Sequence, residues 1–244
     1  MGRGKMKTGL KIVMSVVAVL FLGIVGYCQL IYPTEYPRGA WRYKMTVRVE
    51  TPEGIKSGAA VREVRVRTGI DFPDRGSGTA IGARGEAVVV DMGKRGVMFG
   101  LMRSSRSVDY AYSIFFKKFS LPGKRNGAES ATPEGVRYYN GLKSGKAGLS
   151  SEEYPEFVRF RDMKDPKSVE LVDPNDLESS FGEGVKLLDV EIAITDEPVT
   201  RGIEAWLGWL PSHRKGYLDG QFAGGGPELS NILHSGDFQR GTNQ

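Results

Sequence analysis

The chain has very few of the residues that build covalent staples or soft-metal sites: one cysteine, Cys28, and two histidines among 244 residues. A single thiol excludes an internal disulfide framework. Because Cys28 lies in an apolar stretch, everything after it also lacks a thiol nucleophile or a cysteine zinc site. His213 and His234 are 21 residues apart in polar surroundings, His213 beside Arg214 and Lys215, which is poor spacing and poor company for a metal ion. Basic excess is also missing from most of the chain. Of 34 Lys and Arg, four (Arg3, Lys5, Lys7, Lys11) fall in the first 32 residues, which hold no acid. The other 30 nearly cancel the 29 Asp and Glu. No nucleic-acid partner is expected, since a basic footprint would have to sit on the body. Gly-x-Ser-x-Gly, Walker and His-Glu-x-x-His motifs are absent. Gly76, Gly78 and Gly82 approach a dinucleotide fingerprint with the wrong spacing and read as a turn. No cofactor, metal or catalytic residue is assigned.

One long hydrophobic run is present. Residues 12–32 hold no charge over 21 positions, enough for a helix to span the ~30 Å hydrocarbon core of a bilayer. Four cations precede it and Glu35 follows, so the positive-inside rule puts the N-terminus in the cytoplasm and the rest outside. Tyr27, Tyr32, Tyr36 and Trp41 suit the outer headgroup layer. A cleaved signal peptide fits less well, because the run is long and sites such as Gly26 with Cys28 lack alanine. Lipidation at Cys28 is opposed by bulky Tyr27. The division expected is a basic cytoplasmic segment (1–11), a transmembrane helix (12–32), a juxtamembrane linker (33–42), an extracytoplasmic domain (43–222) and a flexible tail (223–244).

Beyond the linker the pattern is that of strands. Glycine, 33 residues, is nearly twice the ordinary ~7% without any repeat, which implies many tight turns. Met45, Val47 and Val49 alternate with Lys44, Thr46, Arg48 and Glu50 over Tyr43 to Glu50, a half-buried strand. Thr51-Pro52-Glu53-Gly54 supplies a turn into a second strand over 60–67. Residues 79–83 and 86–91 read as a pair of strands around Arg84 and Gly85, and 97–102 as a buried strand. Strands are also expected over 156–161, 168–172 and 185–195. Tyr110 to Phe119 fits a short helix or a strand equally well. Thr132-Pro133-Glu134-Gly135 repeats the earlier turn sequence and is read as the same kind of turn. Asp173, Pro174 and Gly182 bracket a helix of about two turns. A helix over 198–210 is expected to bury Ile203, Trp206, Leu207 and Leu210, with Trp206 the anchor and Trp209 at the margin. The fold class is α+β: an N-terminal transmembrane helix, then a β-rich, mainly antiparallel domain with two or three short helices.

Two polar groups stand out. Arg48, Arg65 and Arg67 share the polar parity of adjacent strands close to the membrane exit and could contact lipid headgroups or an acidic partner. Arg159, Arg161, Asp162 and Asp165, with Asp196 further on, form the second candidate; paired carboxylates can divide acid and base roles, although these adjoin Pro166 and Pro198, as turn and capping residues do.

The run from Val158 to Leu210 resembles a family of single-pass, membrane-anchored bacterial proteins to which no activity is assigned. The likeness rests on Phe160, Arg161, Asp162, Asp165, Pro166 and Lys167, on Val172, Asp173, Pro174, Phe181, Gly182 and Gly184, and on Thr195 to Thr200 with Gly202, Ile203 and Glu204. The Tyr43 to Ile55 hairpin adds to it. The resemblance implies a bacterial envelope protein in the cytoplasmic membrane, with its C-terminal domain periplasmic. Together these readings favour a noncatalytic binding or structural module, tethered to the lipid bilayer through 12–32 and meeting a protein partner in the envelope. The alternatives are a carboxylate-dependent hydrolase or transferase and an oligomeric part of a transport or secretion assembly.

Overall fold

The computed structural model describes residues 14–26, 37–69, 78–214, 216–222 and 226–241. The chain divides into two compact units, Met1–Tyr36 and Pro37–Gln244. In the first, residues 14–26 form helix α1, and apolar side chains such as Leu20, Phe21 and Leu22 are exposed. No helix among the described residues is long and apolar enough to cross a membrane. The expected span, 12–32, runs beyond α1 at both ends into residues outside those described.

The second unit is built on a long hairpin. Strands β1 (Arg38–Thr51) and β2 (Gly54–Arg67) pair over their whole length, from Thr51 opposite Gly54 to Arg38 opposite Arg67. Trp41, Tyr43, Met45, Val47 and Val49 are buried on one face of β1, as strict alternation requires. The strand therefore starts earlier than its Val-rich centre suggested: Trp41 continues the alternation opposite Val64, so 38–42 is strand and not linker. Strand β9 (Lys186–Ile194) lies on the other side of β1, with a bulge at Leu188 where the register shifts between Arg48 and Val49. With β3 (Ala80–Glu86), β6 (Lys146–Gly148) and β10 (Gln239–Arg240), these form a six-stranded sheet in the order β10-β3-β2-β1-β9-β6. A four-stranded sheet holds β4 (Val88–Asp91), β5 (Val97–Gly100), β7 (Phe157–Phe160) and β8 (Val169–Val172) in that order. Every pairing is antiparallel, which makes the unit the β-rich α+β domain expected.

Several local expectations are overturned by packing. Residues 79–91 are not a hairpin: β3 runs straight through Arg84 and Gly85 beside β2, and β4 crosses to the other sheet. Gly85 has φ +138°, and a Cβ there would sit 3.1 Å from the Cα of Arg62, so the passage needs glycine. Tyr110–Lys118 is a helix, α2, whose Phe115 stacks on Trp41 at 6.2 Å and whose Ala111 carbonyl accepts from Tyr43 Oη at 2.6 Å. The second Thr-Pro-Glu-Gly opens helix α3 (Pro133–Gly141) and is no turn: Thr132 Oγ1 caps Gly135 N at 3.1 Å, and Val136 and Tyr139 are buried. Asp173 makes a local turn with Asn175, so α4 is confined to Glu178–Phe181, although Gly182 ends it as expected. Residues 198–210 break into 3₁₀ turns at Ile203–Ala205 and, beyond Gly208, Leu210–His213.

That break reverses the tryptophans. Trp206 is 40% exposed, while Trp209 packs against Phe160 and Phe238 and donates Nε1 to the Met163 carbonyl at 3.1 Å. Without a continuous α-helix, the 100° step that placed Trp206 inward does not hold. Of the expected tail, the described residues 226–241 are not loose. They carry helix α5 (Ser235–Phe238) and β10, and Leu233 and Phe238 are fully buried in a second core with Phe99, Leu101, Leu207 and Leu218. Apolar anchors spaced through a glycine-rich stretch suffice to dock it. Arg62, fully buried on the inner face of β2, ties the two sheets by donating Nε to the Glu86 carbonyl at 3.1 Å and Nη2 to the Gly100 and Leu101 carbonyls at 2.9 and 3.0 Å.

Candidate functional site

Residues directly opposite in an antiparallel ladder point to the same face, so the register of β1, β2 and β3 lays out the outer face of the large sheet in rows. Arg42, Glu63 and Arg84 make one row, Ala40, Arg65 and Gly82 the next, and Arg38, Arg67 and Ala80 the last. Five arginines thus share one face with one carboxylate, and three of them, Arg42, Arg65 and Arg84, converge on it. Glu63 is only 3% exposed and accepts from Arg42 Nε at 3.2 Å, Arg65 Nε at 2.7 Å and Arg84 Nη2 at 3.1 Å. Burial alone pushes its carboxyl up, but hydrogen bonds from Arg84, Arg65 and Arg42 outweigh that and hold it below its ordinary value.

The loop after β9 borders this face. Arg42 Nη1 donates to the carbonyls of Asp196 and Glu197 at 2.9 and 3.1 Å, Lys44 Nζ pairs with Glu197 at 2.7 Å, and Thr200 exchanges hydrogen bonds with the backbone of Val61. Beyond Arg42 the face opens into a groove of 570 Å³ along the two outer rows. Its floor is small, Ala40, Ala80 and Gly82, and its walls are Arg38, Arg65 and Arg67. Arg38 and Arg67 are exposed and make no ion pair among the described residues.

Arg65 and Arg67 are therefore together, as expected, but Arg48 is not with them. It lies far along β1 and is held by Asp189, its partner across the β1–β9 ladder, with Nε 3.0 Å from both carboxylate oxygens. Arg38, Arg42 and Arg84 escaped the sequence reading. The signal was there for the first two, which continue the polar parity of Lys44 and Arg48; only cross-strand pairing reveals the third.

The second candidate group does not converge. Arg159 and Arg161 share Glu170 of β8, at 2.8 and 3.0 Å, and Arg159 also donates to the Ser180 carbonyl. Asp162 and Asp165 instead build the β7–β8 turn, accepting from Lys164 N and Lys167 N, both at 2.9 Å. Asp196 belongs to the loop beside Arg42 and contributes its carbonyl there.

An unforeseen carboxylate pair lies between the end of β5 and the C-terminal segment. Arg103 Nε is 2.9 Å from Glu156, and its Nη1 is 3.8 Å from Asp237. Burial, with Asp237 adding to it, pushes the Glu156 carboxyl up despite Arg103. Glu156 lines a cavity of 320 Å³ with Tyr154, Phe157 and Leu171. Among the described residues no group of three or more His, Cys, Asp or Glu is placed to hold a metal ion. His213 packs on Trp209, and His234 lies 4.0 Å from the ring of Tyr217.

No family model matches the chain, and no curated protein or solved structure matches it either. The resemblance drawn from 158–210 thus rests on the quoted residues alone.

Proposed function

We propose that the chain is a single-pass, membrane-tethered extracytoplasmic module of the bacterial envelope that acts by presenting a binding surface, not by turning over a substrate. The observation that carries this reading is the arginine-rich outer face of β1, β2 and β3. Such a face, held rigid by a ladder of two fourteen-residue strands, suits recognition of an anionic partner. The uncharged run 12–32, partly helical as α1, supplies the tether. Four cations before it set the N-terminus inside and the body in the periplasm. The test is a C-terminal reporter active only outside the cytoplasm, read in whole cells and membrane fractions. An active, membrane-bound reporter supports the reading, and a cytoplasmic or freely soluble body sinks it.

A second reading, a hydrolase or transferase, has one observation in its favour: Glu156, with its raised carboxyl beside Arg103 and Asp237 at the rim of a cavity. It requires that purified chain hydrolyse or transfer some envelope substrate and that Glu156→Gln abolish turnover while leaving the melting temperature nearly unchanged.

A further inference from the structure

The most exposed row of the arginine face has a feature that the fold alone does not need. Arg38 and Arg67 stand directly opposite each other on β1 and β2, both exposed. Like charges in that position repel and cost stability. Neither forms an ion pair among the described residues, and the adjacent Arg65 already has its Nε on Glu63. The pair is not at a frayed end: beyond it Thr68 N and Oγ1 both donate to the Pro37 carbonyl, at 3.3 and 2.9 Å, and Thr68 is buried. Two arginine side chains thus leave the sheet from directly opposed positions beside a floor of Ala40, Ala80 and Gly82, where no large side chain blocks the approach of a bulky anion.

We infer that this groove takes the phosphate of an anionic phospholipid headgroup, with Arg38 and Arg67 donating to its oxygens and Arg65 adding charge from the next row. Guanidinium forks match phosphate geometry, and all the cations lining the groove are arginines, none lysines. The lipid source is favoured by the chain itself: Arg38 follows Tyr32 by six residues, a reach of at most about 22 Å. If 12–32 spans the bilayer, Arg38 cannot be far from the headgroups of the leaflet where the span ends. The inference rests on the tethered reading proposed above.

The test uses full-length chain reconstituted in nanodiscs of phosphatidylcholine alone or with a third phosphatidylglycerol, followed by hydrogen exchange at residues 38–42, 64–67 and 80–83. Exchange there is expected to slow about fivefold or more in the anionic discs, as one or two cations near an anionic surface allow. The effect should vanish in the double variant Arg38→Ala/Arg67→Ala, persist in Arg48→Ala, and weaken as salt is raised. Equal exchange in both lipids, or protection that survives the double variant, overturns the inference. So does protection produced by millimolar inorganic phosphate in phosphatidylcholine discs but not by phosphatidylglycerol, which would mark a soluble-anion site. A chain that does not enter discs at all refutes the tether instead, so the two failures are distinguishable.

Discussion

Each sheet carries a glutamate held by more than one arginine, and the two clusters behave differently because of where they sit. Glu63, central in the six-stranded sheet, is almost fully buried under three arginines. Glu170 lies on the edge strand of the four-stranded sheet with two, and a third of its side chain reaches solvent. The first carboxylate is needed to keep converging cations together; the second decorates a surface where water does much of the same work. The sheets also differ in how they are closed. The smaller one joins two local hairpins, β4 with β5 and β7 with β8, and is sealed by the C-terminal segment through Phe238, whereas the larger one draws β9, β6 and β10 from far along the chain to β1, β2 and β3.

The largest expected effect breaks the comparison at that seal. Phe238→Ala should cost about 3 to 5 kcal/mol, because it empties a fully buried position contacted by Phe99, Phe160 and Trp209. Urea unfolding measures it; a loss under about 1 kcal/mol would mean that the C-terminal segment is only loosely held.

The next prediction sharpens the contrast between the glutamates. Glu63→Gln should destabilise by about 3 kcal/mol, since arginines left around a neutral amide repel one another. Glu170→Gln should cost about 0.5 kcal/mol. The pH dependence has a definite sign. Folding lowers the Glu63 carboxyl below its ordinary value of 4.5, so its contribution is complete above that pH and is lost as the pH falls through the lowered value. The gap between parent and Glu63→Gln, measured by thermal unfolding, should therefore be constant near neutrality and shrink under acid. A gap that widened on acidification would contradict the assignment.

The smallest contrast is expected between the two tryptophans bordering the second core. Trp209→Ala is expected to cost about 2 kcal/mol and Trp206→Ala under about 1, in proportion to the contacts each loses. The opposite order, read by denaturant midpoints, would restore a continuous helix over 198–210.

What could be read from the chain alone was whatever depends on residues two to four positions apart. Alternation in β1 and β9, the turn at Thr51 to Gly54, the stop at Gly182 and the α+β character all follow from local pattern, because side-chain direction in a strand repeats every two residues. So did two of the groove's three arginines, Arg65 and Arg67, which share a parity on one strand. Everything that depends on a neighbour distant in sequence was decided by tertiary structure. Arg84 joins Glu63 only because β3 pairs with β2, and Arg48 leaves the group because Asp189 of β9 faces it. Tyr110 to Lys118 becomes a helix because Trp41 and Tyr43 offer it an apolar, hydrogen-bonding bed. The same Thr-Pro-Glu-Gly is a turn between two strands and a helix start where Val136 and Tyr139 can be buried. In each case the local energies are close to balanced, and burial against a remote partner, which no short window of sequence contains, settles the outcome.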